Sequence, residues 1–302
     1  MDYQDIFMKH TVKILACAVI SLIFTMIICR DAFSRFVVIR ILIAVIMAIG
    51  LNVTTGLTGQ LSMGQAAFMG ISAYSSAMCT INLGGSLGII AGLILSLILC
   101  GLSAFIIGFC VLRLSGDYLA LATLGFGEIV RVIFENSENF GSAAGLYNIP
   151  KYSSVAGATL ACTVCLVIFV RYKYSSIGLL SNAVKDNEDA AAACGINNSR
   201  IKIQGFVAGA MICSVAGWLY GGLIGFISPM DFSFSRSIDT LASVVLGGAG
   251  NVFGPMLAAC LIEGQNVFLQ GLAKYRMLVY GIILILFSTK ILNRDKKQVY
   301  HK

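Results

Sequence analysis

Residues 41–112 contain no Asp, Glu, Lys, Arg or His. A charge-free stretch of that length is enough for about three helical spans of ~20 residues, and a helix satisfies its own backbone polar groups where water is absent. Further charge-poor runs cover residues 14–29, 152–170, 203–230 and 240–262, and a shorter one covers 277–289. Only 12% of the chain is charged, about half the share of a soluble domain. The fold expected is an all-α polytopic integral membrane protein, one domain over residues 1–302 with about ten transmembrane helices (8–10). A transmembrane barrel would instead show short alternating segments.

Lys290, Arg294, Lys296, Lys297 and Lys302 place the C-terminus on the cytoplasmic side. Working back through the runs puts both termini inside, with residues 172–202 as a cytoplasmic loop flanked by Arg171, Lys173, Arg200 and Lys202. The same topology leaves Arg30 and Arg35 outside, against the usual bias. The run at 14–29 lacks a small-residue cleavage site before Arg30 and reads as an uncleaved first span.

Two glycine-rich stretches interrupt the apolar pattern. Residues 56–70 hold Gly56, Gly59, Gly64 and Gly70; residues 247–255 hold Gly247, Gly248, Gly250, Gly254 and Pro255. Broken or re-entrant backbone at membrane depth is tolerated where protein covers it or a polar cavity adjoins it. Both stretches are expected to be such breaks, and their placement in opposite halves hints at an internal repeat.

Several chemistries are excluded or disfavoured. The net charge of +7 is what lysines and arginines flanking spans produce, and no basic stripe with interleaved aromatics points to nucleic acid. Histidine occurs only at His10 and His301, so His-dependent triads, HExxH sites and His-ligated haem are absent from the apolar runs. There is no GxxxxGK[ST] phosphate loop. Of ten cysteines, most lie in apolar runs as small hydrophobes; the CxxC at Cys162 and Cys165 has no second pair or histidine to complete a metal site. No catalytic or metal-binding residue is assigned.

The polar island "NEDAAAACGIN", residues 187–197, is unlike its surroundings. Asp186 or Asn187 can cap a short helix whose first turn holds Glu188 and Asp189, favourable at the positive end of the dipole. Four alanines follow, and Gly195 can close the helix in a left-handed conformation. Such a thin-faced helix either docks in a partner's groove or simply joins two spans.

Four stretches together resemble a known family: "GLNVTTGLTGQLSMGQAAFMGISAYSSA" (50–77), "GDYLALATLGFGEIVRVIFEN" (116–136), "SSIGLLSNAVKDNEDAAAACGIN" (175–197) and "DFSFSRSIDTLASVVLGGAGNVFGP" (231–255). They are similar to the inner-membrane permease subunit of branched-chain amino-acid ABC importers, in the same order and over nearly the whole chain. The resemblance implies that Glu188, Asp189, Ala190, Ala191, Ala193, Gly195 and Ile196 form the coupling helix that seats on an ATPase subunit. It implies a second permease subunit in a heterodimer, two ABC ATPase subunits, an extracytoplasmic binding protein, and no cofactor on this chain, since ATP and Mg stay with the ATPase. It implies translocation of leucine, isoleucine or valine or a related small amino acid, with other amino acids, amides or urea carried by some relatives. The chain departs from the family where Ala192 stands for a frequent acidic residue and Gln65 for a frequent histidine, and the loop at 140–150 lacks a doubled glycine.

Asn52, Gln60, Ser62 and Gln65 offer uncharged hydrogen-bonding groups suited to a translocation path; the competing reading is packing between helices. Glu128 and Arg131, three apart, can pair as a gate or as a structural ion pair. Trp218 and Tyr220 read as packing or interfacial aromatics. Glu263, isolated among apolar residues, needs a partner or water, and a second subunit is one place to find it. An ion-coupled secondary transporter is the alternative function, and the absence of acidic residues in 41–112 counts against it. A membrane enzyme is a third, without an acid–base or nucleophile constellation to support it.

Overall fold

The computed structural model describes residues 31–111 and 116–268. Among the described residues the ordered elements are helices. They are α1 (Ala32–Leu51), α2 (Gln65–Leu83), α3 (Gly85–Val111), α4 (Asp117–Asn136), α5 (Val155–Lys173), α6 (Ser176–Asp186), α7 (Glu188–Ala193), α8 (Asn198–Ile224), α9 (Phe234–Gly247) and α10 (Gly254–Phe268). Four segments are long and apolar enough to cross a bilayer: Ala32–Leu57, Gly85–Val111, Val155–Lys173 and Asn198–Ile224. The expected spans at 14–29 and 277–290 lie outside the described residues.

Small residues organise the core. On α8, Gly205, Gly209, Cys213, Gly217 and Gly221 recur every fourth position and form one stripe. A Cβ at Gly205 would strike Thr58, one at Gly209 the Gly50 carbonyl at 2.7 Å, one at Gly217 Met69 and Ser72, and one at Gly221 the Ala73 carbonyl at 3.3 Å. Through this stripe α8 lies backbone to backbone against α1 and α2. On α3 the buried positions are Gly88, Gly92, Ser96, Cys100, Ala104 and Gly108, again every fourth residue. Its other faces expose Leu87, Ile90, Ile94, Ile98, Leu102, Phe105 and Phe109. Small residues inward and large apolar residues outward is the pattern of a helix with lipid on its outer side, where close packing rather than hydrophobic burial holds neighbours together.

The helix α2 is less apolar than these because it is enclosed. Gln65, Ser72, Ser75, Ser76 and Thr80 are all buried in it. Their hydroxyls bond mainly to carbonyls: Ser72 to that of Ser214 across the α2–α8 contact, Thr80 to that of Ser76 at 2.6 Å. Around this centre, α5 packs on α1, the α9–α10 hairpin packs on the other flank of α1, and α4 lies more loosely against α2.

Both glycine-rich breaks are present, each narrower than the sequence implied. The first follows a π-helical turn, Asn52–Leu57, and runs as irregular backbone from Gly59 to Gly64. Gly70 lies inside α2, against the Phe232 ring. The second break covers residues 248–253, between α9 and α10. The short helix before it starts at Phe234, six residues earlier than the charge-poor run. The preceding turn Pro229–Phe232, closed by a capping box between Ser228 and Asp231, delivers the chain directly into it.

Candidate functional site

One end of the bundle gathers α6, α7, the start of α8 and both breaks. The helix α7 is positioned by a single residue on its N-terminal side. Asn187 accepts from the backbone N–H groups of Asp189 and Ala190, each at 3.0 Å, while its own N–H reaches the Ala183 carbonyl at the end of α6. One side chain therefore caps α7 at the residue where α6 ends. Gly195, with φ +81°, turns the chain after α7, and Asn197 caps α8 through the Arg200 N–H. Lys202 donates to Glu188 at 2.6 Å, and the Asn198 amide donates to the Glu188 carbonyl at 2.8 Å. The α7 start is thereby tied to α8.

The alanine helix has two unlike faces. Ala191 is 4% exposed and packs with Val184 and Ile201 in a small core of its own, flanked by Ile196. Asp189, Ala190, Ala192 and Ala193 are exposed. Thinness at Ala191 thus serves internal packing, and the surface offered outward is the acidic first turn with the other three alanines. Ala191→Trp is expected to destabilise this small core by about 1–3 kcal/mol through overpacking, visible as faster protease cleavage within residues 174–197. Ala193→Trp is expected to leave the cleavage rate unchanged.

The path candidates fall into three situations. Asn52, 1% exposed, joins the two breaks: its Oδ1 accepts from the Gly250 N–H at 2.8 Å and its Nδ2 donates to the Asn251 carbonyl at 2.7 Å. Gln65 is buried at the start of α2, donating to Thr54 at 3.4 Å and accepting from the Cys213 thiol at 3.0 Å. Ser62 is fully buried, its Oγ accepting from the Gly64 N–H at 3.5 Å. Gln60 differs: it is 3% exposed and neither amide atom has a hydrogen-bond partner among the described residues.

Lysines reach these breaks from the loop. Lys185 donates to the Gly56 carbonyl at 2.8 Å, and Lys173 donates to the Gly250 carbonyl at 2.6 Å. In the sequence Lys173 reads only as a charge flanking a span, and nothing in spacing alone connects Lys185 to a glycine 129 positions earlier.

Farther along the bundle Glu263, 2% exposed, is held by two guanidiniums. Arg40 reaches its Oε1 at 2.7 Å and Arg236 its Oε2 at 3.1 Å. The carboxylate finds both partners within the chain, tying α10 to α1 and α9. At the end opposite α7, Arg131 pairs with Glu128 and also with Glu135, each at 2.8 Å, on the exposed side of α4. Pairs this accessible contribute about 0.2–1 kcal/mol each. Arg131→Ala is therefore expected to shift the thermal midpoint in detergent by only a few degrees. A large loss of transport at unchanged stability would instead assign the cluster a gating role. Trp218 donates from its indole to the Ile89 carbonyl at 3.1 Å, and Tyr220 packs edge-on to Phe232, which makes both structural aromatics. Near the same end a cavity of about 450 Å³ is lined by Tyr74, Met78, Leu95, Leu99, Phe134 and Phe140 and carries no charged side chain.

Residues 34–288 match the family described as "Branched-chain amino acid transport system / permease component". The chain is 33% identical over 280 residues to the high-affinity branched-chain amino acid transport system permease protein LivM of Salmonella typhimurium and equally to that of Escherichia coli. The match covers 81% of this chain and 65% of each relative. The fructose import permease protein FrcC of Rhizobium meliloti is 26% identical over 80% of this chain and 70% of its own length. The permease protein LivH of Salmonella typhimurium is 28% identical over 65% of this chain and 62% of its own. No solved structure matches. A family match over five-sixths of the sequence, on a helical scaffold with small residues inward and apolar residues outward, makes this chain a member of the branched-chain amino-acid transport system permease family.

Proposed function

We propose that this chain is the transmembrane permease subunit of an ATP-binding cassette importer that carries leucine, isoleucine and valine across the cytoplasmic membrane. The observation that carries the reading is the α7 segment: a short, doubly capped helix presented at one end of the bundle, with an acidic first turn and exposed Ala190, Ala192 and Ala193. In this reading α7 is the coupling helix and its end of the bundle is cytoplasmic. Lys173, Lys185, Arg200 and Lys202 at that end agree with the positive-inside bias. About ten spans, with both termini inside, complete the topology. LivM and LivH are both similar to this chain, which supports a heterodimer of two permeases. Two ATPase subunits and an external binding protein complete the importer, with ATP and Mg on the ATPases.

Substrate assignment rests on the LivM similarity, since a fructose permease shares the family's sequence pattern. For the path, Gln60 is the strongest of the four candidates, because its buried amide is unpartnered while those of Asn52 and Gln65 are engaged. The ion-coupled alternative would use a buried carboxylate as its ion site. Glu263 is buried, but two arginines occupy it, which is the arrangement of a structural counter-ion.

The test is co-purification from native membranes in mild detergent. An ATPase subunit is expected with the wild-type chain and is expected to be lost with Ala193→Trp, whose bulk falls on the exposed face. An ATPase that stays bound to Ala193→Trp would remove the assigned role from α7.

A further inference from the structure

The geometry points to Lys185 and Lys173 as the residues that transmit movement of α7 to the two helix breaks. The inference rests on the reading of α7 as the coupling helix. Each break leaves a backbone carbonyl without a continuing helix to bond it. Gly56 sits in the π-turn where the first membrane helix ends, and its carbonyl points past that end. Gly250 lies in the turn after α9. Gly56 is at a helix C-terminal end, where the backbone is partially negative and an ammonium is favourable, and Gly250 lies just past the Gly248 cap of α9. Lys185 occupies the first and Lys173 the second.

The two lysines belong to the same loop. Lys173 is the last residue of α5, and Lys185 stands in the last turn of α6, two residues before the shared cap Asn187. A displacement of α7 therefore reaches Lys185 through one capping residue, and Lys173 lies one short helix, α6, farther on. On the membrane side the two contacts are also joined, because Asn52 bonds to the backbone of both Gly250 and Asn251. The spacing is tight throughout. A Cβ at Gly59, whose φ is +71°, would lie 2.9 Å from the Lys185 side chain, and one at Gly250 would lie 3.1 Å from the Gly56 carbonyl. The unpartnered Gln60 follows Gly59 directly. Movement of Lys185 thus acts on the segment where helical hydrogen bonding has lapsed and the backbone can rearrange most readily.

A simple anchor and a transmitter differ in what their loss does. An anchor, once removed, lowers the amount of assembled importer. Removing a transmitter leaves the assembly intact and separates ATP hydrolysis from transport. The experiment uses the whole importer purified on this chain and reconstituted in liposomes, with Lys185→Met, the double variant Lys173→Met with Lys185→Met, and Lys185→Arg. The ATPase subunit is expected to co-purify with every variant and hydrolysis to stay within about twofold. Leucine uptake is expected to fall at least about tenfold in the double variant, within the range usual for coupling between sites, and to be largely restored in Lys185→Arg. Unchanged uptake in the double variant overturns the inference. So does a parallel fall of hydrolysis and uptake with loss of the ATPase, which would make the lysines part of docking. Ala193→Trp, run alongside, reports on α7 separately: an ATPase retained there sinks the coupling-helix reading whatever the lysines do.

Discussion

Glu263→Gln is expected to destabilise the protein by about 3 kcal/mol, the low end of the cost of leaving a buried ion pair with one partner. The neutral amide keeps the shape but removes the carboxylate charge with which Arg236, whose side chain is 14% exposed, and Arg40, at 25%, are paired. Partial exposure of Arg40 lets that guanidinium recover some solvation, which is why the low end applies. The same physics predicts rescue. Replacing Arg40, Arg236 and Glu263 together by Met removes all three charges and is expected to recover most of the loss, since apolar replacement of a buried ionic cluster is often neutral or better. Thermal unfolding in mild detergent, read by a size-exclusion profile after heating, separates these cases. A Glu263→Gln protein as stable as wild type would mean that the two arginines find other partners.

Gly209→Leu is expected to be comparably damaging for a purely steric reason. A Cβ at this position already meets Thr54 and lies 2.7 Å from the Gly50 carbonyl, while a Cβ at Gly50 lies 2.8 Å from the Gly209 carbonyl. The two carbonyls are backbone and cannot swing aside as a side-chain tip can, so α1 and α8 must separate along the crossing. Overpacking of this kind costs about 1–3 kcal/mol and occasionally more, and the displaced α1 runs straight into the π-turn that carries Thr54, the hydrogen-bond partner of Gln65. Gly127→Ala on α4 is the matched control. Nothing lies within 4 Å of the added Cβ, and helix propensity favours alanine by up to about 1 kcal/mol. A tolerated Gly209→Leu would show that the two helices are not in backbone contact.

Much of this arrangement was legible in the sequence, and the residues explain why. The charge-free run at 41–112 forced helices on the chain, because only helices or closed barrels satisfy the backbone in lipid. The two glycine clusters located the breaks, since helices end where glycine removes side-chain packing and allows positive φ, as at Gly59 and Gly248. Asn187, Glu188 and Gly195 carry local signals for a capped helix, and α7 runs over Glu188–Ala193. What the sequence hid was mostly long-range. The pairing of Glu263 with Arg40 spans 223 positions, and that of Lys185 with Gly56 spans 129; no periodicity connects such residues. Which face of the alanine helix turns inward was also hidden, because four consecutive alanines have no amphipathic pattern. Only Val184 and Ile201, brought in by α6 and α8, select Ala191 for the interior. The stripe on α8 is present in the sequence at four-residue spacing as Gly205, Gly209, Cys213, Gly217 and Gly221, and a search at that period finds it.

The most direct measurement is leucine uptake into liposomes carrying the importer purified on this chain, with its binding protein added outside. ATP enclosed in the lumen with the ATPase subunits is expected to drive accumulation that vanadate abolishes, with no response to an imposed proton or sodium gradient. Uptake that follows the ion gradient and persists without ATP would contradict the importer assignment and make the chain an ion-coupled transporter.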